Sequence, residues 1–325
     1  MYSIRAVVGI CDGTSVDIVA LVGPTATGKT ETAVRLALAL NGEIISADSV
    51  AVYRRMDIGA AKPSEVERKL ARFHLIDVVE PDKAFNAAIF KRLAEEAISD
   101  IRARGKTPIV AGGTGLYVRA LLENYSLTET VPDLHLRTEL EAEAKCAGVP
   151  AMHDRLAGLD PKAASRIHSN DLVRIVRALE VILRTGKTIS DQHEEDARSR
   201  IRKPAHKFAL TASRDELIRR IDARVDRMIA RGLEQEVRDL ESHGFGRELP
   251  SMRTLGYKEM MAYINNECDL QHAVSEIKKN TRRFAKRQLT WFRAEKNLEW
   301  IYVDNDPPPA VASRILERLK CNATL

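Results

Sequence analysis

Gly23-Pro24-Thr25-Ala26-Thr27-Gly28-Lys29-Thr30 fits the G-x-x-x-x-G-K-[ST] pattern at every fixed position. Its flanks decide the fold. Asp17-Ile-Val-Ala-Leu-Val22 is a short β-branched apolar run of the kind buried in a parallel sheet, and Glu31 to Leu40, rich in Ala and Leu, reads as a helix. Strand, glycine turn and helix follow in the order a phosphate-binding loop needs. The glycines let backbone N–H groups converge on an anion, the helix N-terminus adds partial positive charge, and Lys29 supplies a mobile full charge. The Thr30 hydroxyl is placed as a Mg²⁺ ligand. A phosphate or diphosphate is expected on this loop.

Working outward, further apolar strands are expected at Glu43–Ala47, Pro108–Ala111, Phe208–Thr211 and Trp300–Val303, with helical stretches between them. This alternation implies an α/β fold: a P-loop NTPase-like parallel sheet with helices on both faces, its ligands at the carboxyl ends of the strands. Asp48-Ser49 follows the second of these strands and Gly112-Gly113-Thr114-Gly115 the third, so both open toward the loop. Each has a structural alternative at this point, a helix cap for Asp48 or Ser49 and a simple turn for the glycines.

From about Ser126 to Arg202 the pattern turns helical, which reads as an inserted helical domain. The expected division is a discontinuous core of residues 18–125 and 203–325, an insert of residues 126–202, and an N-terminal extension of residues 1–17. Within the insert, Arg174 and Arg177 lie three apart on a helix beginning near Asp171, with Arg184 two turns further along the same face. After it, Ser213-Arg-Asp-Glu216 spells a capping box that opens another helix. Leu217, Ile218, Ile221, Val225, Met228 and Ile229 form that helix's apolar face, and Arg224 projects about 20° from Leu217, at the rim. Either an anion or a snorkelling surface position satisfies it.

The 325 residues carry a formal net charge of +5, and 44% are hydrophobic, enough for a substantial core. The charge is concentrated: Glu276 to Lys296 holds eight basic residues against two acidic ones, a local +6, which leaves the remainder about neutral. Ile277, Thr281, Phe284, Gln288 and Trp291 repeat at helical spacing and are expected to face the core, turning the Lys/Arg rows outward as a solvated or polyanion-binding face. Apolar runs fall far short of the ~20 residues a membrane helix needs. Four scattered cysteines suggest neither a zinc site nor a disulfide framework, so a cytoplasmic protein without a membrane partner is expected.

The ordered motifs together resemble the tRNA dimethylallyltransferases over nearly all of Val19 to Arg293. They are the phosphate loop, Asp48-Ser-Val-Ala-Val-Tyr53 running on to Pro63, Phe73-His-Leu-Ile-Asp77 and Gly112-Gly-Thr-Gly-Leu-Tyr117. They continue with Asn170 to Glu180, Leu255-Gly-Tyr-Lys-Glu259 and Asn280 to Arg293. The chain departs from the family pattern at Ala51, usually Gln, at Ala60, often Thr, and at Phe73, commonly His. The resemblance implies that the exocyclic amine of the adenine 3′ of a tRNA anticodon attacks dimethylallyl diphosphate and releases pyrophosphate. It implies Asp48 as general base, with Thr114 and Arg224 as further catalytic groups. Gly23 to Thr30 would bind the diphosphate, with Mg²⁺ at Thr30. Contacts with the tRNA anticodon stem-loop are implied for Asp48, Ser49, Val50, Ala51, Val173, Arg174, Ile175, Val176, Arg177, Arg282, Arg283 and Arg287. A monomer is expected. Alternatives are an adenylate isopentenyltransferase that makes cytokinin, a P-loop small-molecule kinase that binds ATP, and a non-catalytic RNA-binding protein. The helical insertion favours a macromolecular acceptor.

Overall fold

The computed structural model describes residues 18–125, 133–191, 194 and 203–322; the expected extension of residues 1–17 lies outside them. Contacts divide the chain into two compact units, one from the segments up to Leu122 and from Lys203 onward, the other from Glu123–Arg202.

The first unit is built on a six-stranded, all-parallel sheet in the order β3-β2-β4-β1-β5-β6. The strands are β1 (Ile18–Val22), β2 (Gly42–Ser46), β3 (Phe73–His74), β4 (Thr107–Gly112), β5 (Ala205–Thr211) and β6 (Glu299–Tyr302). All five residues of β1 are buried because both of its faces are covered, which is why it reads as a continuous apolar run. Val19 and Leu21 join Ile44, Ile109, Phe208 and Leu210 beneath the helices Lys29–Ala39 and Pro308–Asn322. Ile18, Ala20 and Val22 join Ile45 and Val110 beneath Ala87–Ala103 and Gly115–Leu122 on the other face. A third cluster, centred on Tyr257, Met260 and Val237, packs against Val52 and Met56.

Two details differ from the sequence reading. β3 was not expected: two residues are too few to show a period, and Phe73–His74 is a strand only because β2 offers it an edge. The capping box at Ser213 does not form. The Glu216 carboxylate is taken by Arg219 and Arg220, and the Ser213 N–H donates to Asp304 (2.8 Å). A true capping box occurs at Ser64 with Glu67.

At the sheet end remote from the phosphate loop, Glu43 of β2 is 1% exposed. It is held by His74 Nε2 (2.7 Å), Arg104 Nη2 (2.8 Å) and Lys106 Nζ (3.0 Å). Burial pushes its carboxyl up, but the hydrogen bonds from Arg104, His74 and Lys106, with the Lys106 charge, outweigh burial and hold it at about 2. A folded-state value below the unfolded one stabilises at pH above the unfolded value near 4.5, and the stabilisation is lost as pH falls toward about 2. Relative to Glu43→Gln, the wild-type protein is expected to be more stable at pH 7 by on the order of 3 kcal/mol, an advantage that shrinks between pH 4.5 and 2. Urea unfolding at pH 7, 4 and 3 measures it, and parallel pH profiles for the two proteins would refute it.

The second unit is helical among its described residues: Leu134–Ala147, Val149–Leu159, Pro161–Ala164 and Leu172–Thr185. Leu140, Met152, Leu156, Ile175, Val176 and Leu179 form its core.

Candidate active site

Three strand ends converge. The phosphate loop follows β1, Asp48 follows β2 and Gly113-Thr114 follows β4, all at carboxyl ends, where an open parallel sheet gathers its ligands. They share a cavity of about 540 Å³ whose remaining wall includes Arg220, Arg224, Met228 and Phe284.

The loop is tightly constrained. Gly23 has φ +135°, and a Cβ there would lie 2.3 Å from the Leu210 carbonyl oxygen, so only glycine lets the loop leave β1 beside β5. Ala26 is left-handed with φ 67°, an unusual conformation for a residue with a side chain, and Gly28 at φ 79° opens the following helix. Lys29 Nζ donates to the Pro24 carbonyl (2.5 Å). Burial, then the Arg224 charge, push the Lys29 ammonium down to about 7 against an opposing pull from Asp48. An anion is what this lysine lacks.

Asp48 sits in a turn rather than at a helix cap. Its Oδ1 accepts the N–H groups of Val50 (2.8 Å) and Ala51 (3.2 Å), while Oδ2 has no donor among the described residues. The carboxylate is thus anchored by one oxygen and available by the other. The Thr114 hydroxyl accepts the Ser49 N–H (3.1 Å), and the Thr114 N–H donates to the Ala47 carbonyl (3.1 Å), which ties the ends of β4 and β2 together. Arg224 makes no hydrogen bond or ion pair with any described residue. Burial lowers its affinity for a proton, Asp48 opposes this and Arg227 adds to it. A half-buried guanidinium in that setting is suited to an anion.

The cavity therefore brings together Thr25 to Thr30, Asp48, Ser49, Val50, Ala51, Thr114 and Arg224; Gly23 and Pro24 form the base of the loop. Val173, Arg174, Ile175, Val176 and Arg177 lie on the Leu172–Thr185 helix of the other unit. Val173 is exposed, but Ile175 and Val176 are 0% and 3% exposed. Expecting these two side chains to touch RNA is corrected: they face the inner side of an amphipathic helix and fill that unit's core. Arg177 donates to Glu180 (2.7 Å), a fully buried carboxylate also held by Arg137 (2.8 Å), so its charge is engaged within the unit. Arg282 is similarly paired with Asp222. Arg283 and Arg287 are exposed and have no ion pair among the described residues.

On the basic Leu270–Arg293 helix the buried stripe runs through Ile277, Thr281, Ala285, Gln288 and Phe292. Phe284 and Trp291, expected inside, are only half-buried, and Phe284 instead lines the cavity. Gln288 was read merely as core. Its signal was chemical: an amide on an otherwise apolar stripe needs partners for both ends. It has them across the cavity floor, at Thr25 and Gly113.

The IPP transferase family matches residues 51–295. A tRNA dimethylallyltransferase of Acetivibrio thermocellus is 46% identical over 291 residues, 89% of this chain and 92% of that protein. One of Pelotomaculum thermopropionicum is 48% identical over 292 residues, 89% of this chain and 91% of that protein. Among solved structures, the full-length tRNA isopentenylpyrophosphate transferase of Bacillus halodurans aligns with a TM-score of 0.69 at 41% identity, covering 95% of this chain and 98% of that one. A eukaryotic dimethylallyltransferase seen acting on tRNA gives a TM-score of 0.76 at 26% identity, covering 93% of this chain and 80% of that one.

Proposed function

The chain belongs to the IPP transferase family of tRNA dimethylallyltransferases, and on that premise we propose that it transfers a dimethylallyl group from dimethylallyl diphosphate to the exocyclic amine of the adenine 3′ of a tRNA anticodon. The observation that supports this most is the meeting of the phosphate loop, the half-free Asp48 carboxylate and the unpaired Arg224 guanidinium in one cavity.

The amine nitrogen attacks the primary allylic carbon, the carbon–oxygen bond breaks, and its electron pair leaves with the diphosphate. The proton shed by the nitrogen passes to Asp48 Oδ2. Lys29, Arg224 and the loop N–H groups receive the charge that develops on the leaving group, the point at which fixed donors contribute most. Thr114 braces the base by holding the Ser49 backbone.

Among the described residues no cluster of three or more His, Cys, Asp or Glu offers a metal cage. The Thr30 hydroxyl at a phosphate loop nevertheless fits Mg²⁺, which takes few protein ligands and completes its shell with water and substrate oxygens. When bound, Mg²⁺ would neutralise diphosphate charge. The acceptor RNA engages the exposed cations Arg283 and Arg287, and Arg174, whose ion pair with Asp171 (3.4 Å) is itself exposed, and its unpaired loop allows the target base to be turned into the cavity. No described helix is long and apolar enough to cross a membrane.

Acceptor choice tests the proposal. An anticodon stem-loop incubated with dimethylallyl diphosphate and Mg²⁺ is expected to gain one C₅H₈ unit by mass far faster than AMP does. Affinity for the stem-loop should fall steeply as salt rises, and Arg283→Ala or Arg287→Ala should flatten that slope by roughly one unit or less per lost phosphate contact. Arg282→Ala should flatten it less, because Asp222 already holds that charge. Equal rates on AMP and stem-loop would favour the cytokinin enzyme, and conversion of ATP to ADP with phosphorylation of a small-molecule acceptor would favour a kinase.

A further inference from the structure

Gln288 lies 7% exposed on the basic helix and bridges two loops that carry the reaction. Its Oε1 accepts the Thr25 N–H at 2.9 Å, and its Nε2 donates to the Gly113 carbonyl at 3.0 Å. Thr25 belongs to the phosphate loop, and Gly113 precedes the threonine that braces the Asp48 turn. The neighbours of Gln288 on the buried stripe either are apolar or, like Thr281, satisfy themselves within the helix (Thr281 Oγ1 to the Ile277 carbonyl, 2.7 Å). Burying an amide is unfavourable unless both ends are bonded, and an apolar residue would fill this place without that penalty. Fit is close on the far side as well: a Cβ on Gly113 would stand 2.3 Å from Nε2.

We propose that Gln288 is a positioning residue, whose carboxamide fastens the diphosphate loop to the Gly113–Thr114 turn and so fixes the leaving group relative to the base that serves the attacking amine. This rests on the transferase reading above. The strands beneath the two loops are paired as far as Val22 and Gly112, and beyond that pairing the amide joins Thr25 to Gly113 with one acceptor and one donor, which neither an ionised carboxylate nor an aliphatic side chain supplies. A displacement of about 1 Å between reacting groups is enough to cost orders of magnitude in rate. The helix that contributes Gln288 also carries Arg283 and Arg287, so the element that meets the acceptor is tied directly to the element that holds the donor.

The test compares wild type, Gln288→Leu and Gln288→Glu, measuring kcat/KM for dimethylallyl diphosphate with saturating stem-loop from pH 8 to pH 5, below each protein's melting temperature. Gln288→Leu is expected to lose about ten- to hundredfold at every pH. Gln288→Glu should lose as much at pH 8, where its carboxylate cannot donate to the Gly113 carbonyl, and recover toward wild type as pH falls, because burial at this place raises a carboxyl above its ordinary range and protonation restores an O–H donor. Charged groups that share the cavity are Lys29 and Glu31 after β1, Asp48, Lys62 and Glu67 after β2, and Arg220, Arg224, Arg227 and Arg231 along and just past the Arg214–Ala230 helix, with Arg287 next to Gln288 on the Leu270–Arg293 helix. They are common to all three proteins, so the ratio to wild type isolates position 288. The neutral leucine separates lost bonding from mere charge repulsion.

Gly113→Ala supplies an independent arm, because its methyl displaces the flexible end of Gln288 rather than backbone. It should slow the wild-type protein and add little in the Gln288→Leu background. A wild-type rate for Gln288→Leu, a pH-independent ratio for Gln288→Glu, or additive losses in the double variant would overturn the role of Gln288 while leaving the transferase intact. Absence of transfer by the wild-type protein would instead refute the transferase reading, and this inference with it.

Discussion

Asp48→Asn is expected to slow transfer by about a hundredfold to ten-thousandfold while leaving both substrates bound. The substitution is conservative in shape: the amide oxygen of Asn still accepts the N–H groups of Val50 and Ala51, so the turn after β2 keeps its anchor. What changes is the other atom. In Asp48, Oδ2 has no donor among the described residues and is the atom proposed to accept a proton from the alkylated nitrogen; in Asn that position is an amide NH₂ with no basic lone pair. Single-turnover rates with both substrates saturating measure the step directly. If Asn at 48 transfers as fast as Asp, another group takes the proton.

Lys29→Ala is expected to lower the transfer rate about a hundredfold or more, with stem-loop affinity unchanged. The ammonium donates to the Pro24 carbonyl and lies 3.5 Å from the Thr27 hydroxyl. Its lowered proton affinity reflects burial and the nearby Arg224. A diphosphate would be a stronger partner than the carbonyl for that ammonium, increasingly so as the leaving group gathers charge. Alanine leaves Arg224 and the loop N–H groups to carry this alone. Wild-type turnover in Lys29→Ala would detach the loop from the chemistry.

The candidate site was legible in the sequence because its parts are local. The 23–30 loop between an apolar strand and a helix, Asp48 at a strand end and Gly113-Thr114 at another each carry their signal within about ten residues, the range over which periodicity and turn chemistry act. Five strands could be read for the same reason. β3 could not, since a two-residue edge strand takes its identity from β2.

The same limit governs the residues proposed to meet RNA. The helix from Leu172 and its cap at Asp171 follow from local sequence. That Ile175 and Val176 point inward, and that Arg177 and Arg282 are engaged by Glu180 and Asp222, follows from packing against partners elsewhere in the chain. Position on a helix tells which residues are neighbours; it does not tell which charge will already be neutralised.

The sequence by itself therefore determined the parallel α/β architecture and the phosphate loop, and on its motifs pointed to the base and the reaction class, all of them features encoded in short contiguous stretches. Only the tertiary structure decided how those stretches are held against one another. Gln288 meets Thr25 across 263 positions of sequence, and no local propensity encodes such a contact. It exists because packing the basic helix against the sheet buries an amide, and a buried amide must find a donor and an acceptor wherever the fold brings them within about 3 Å.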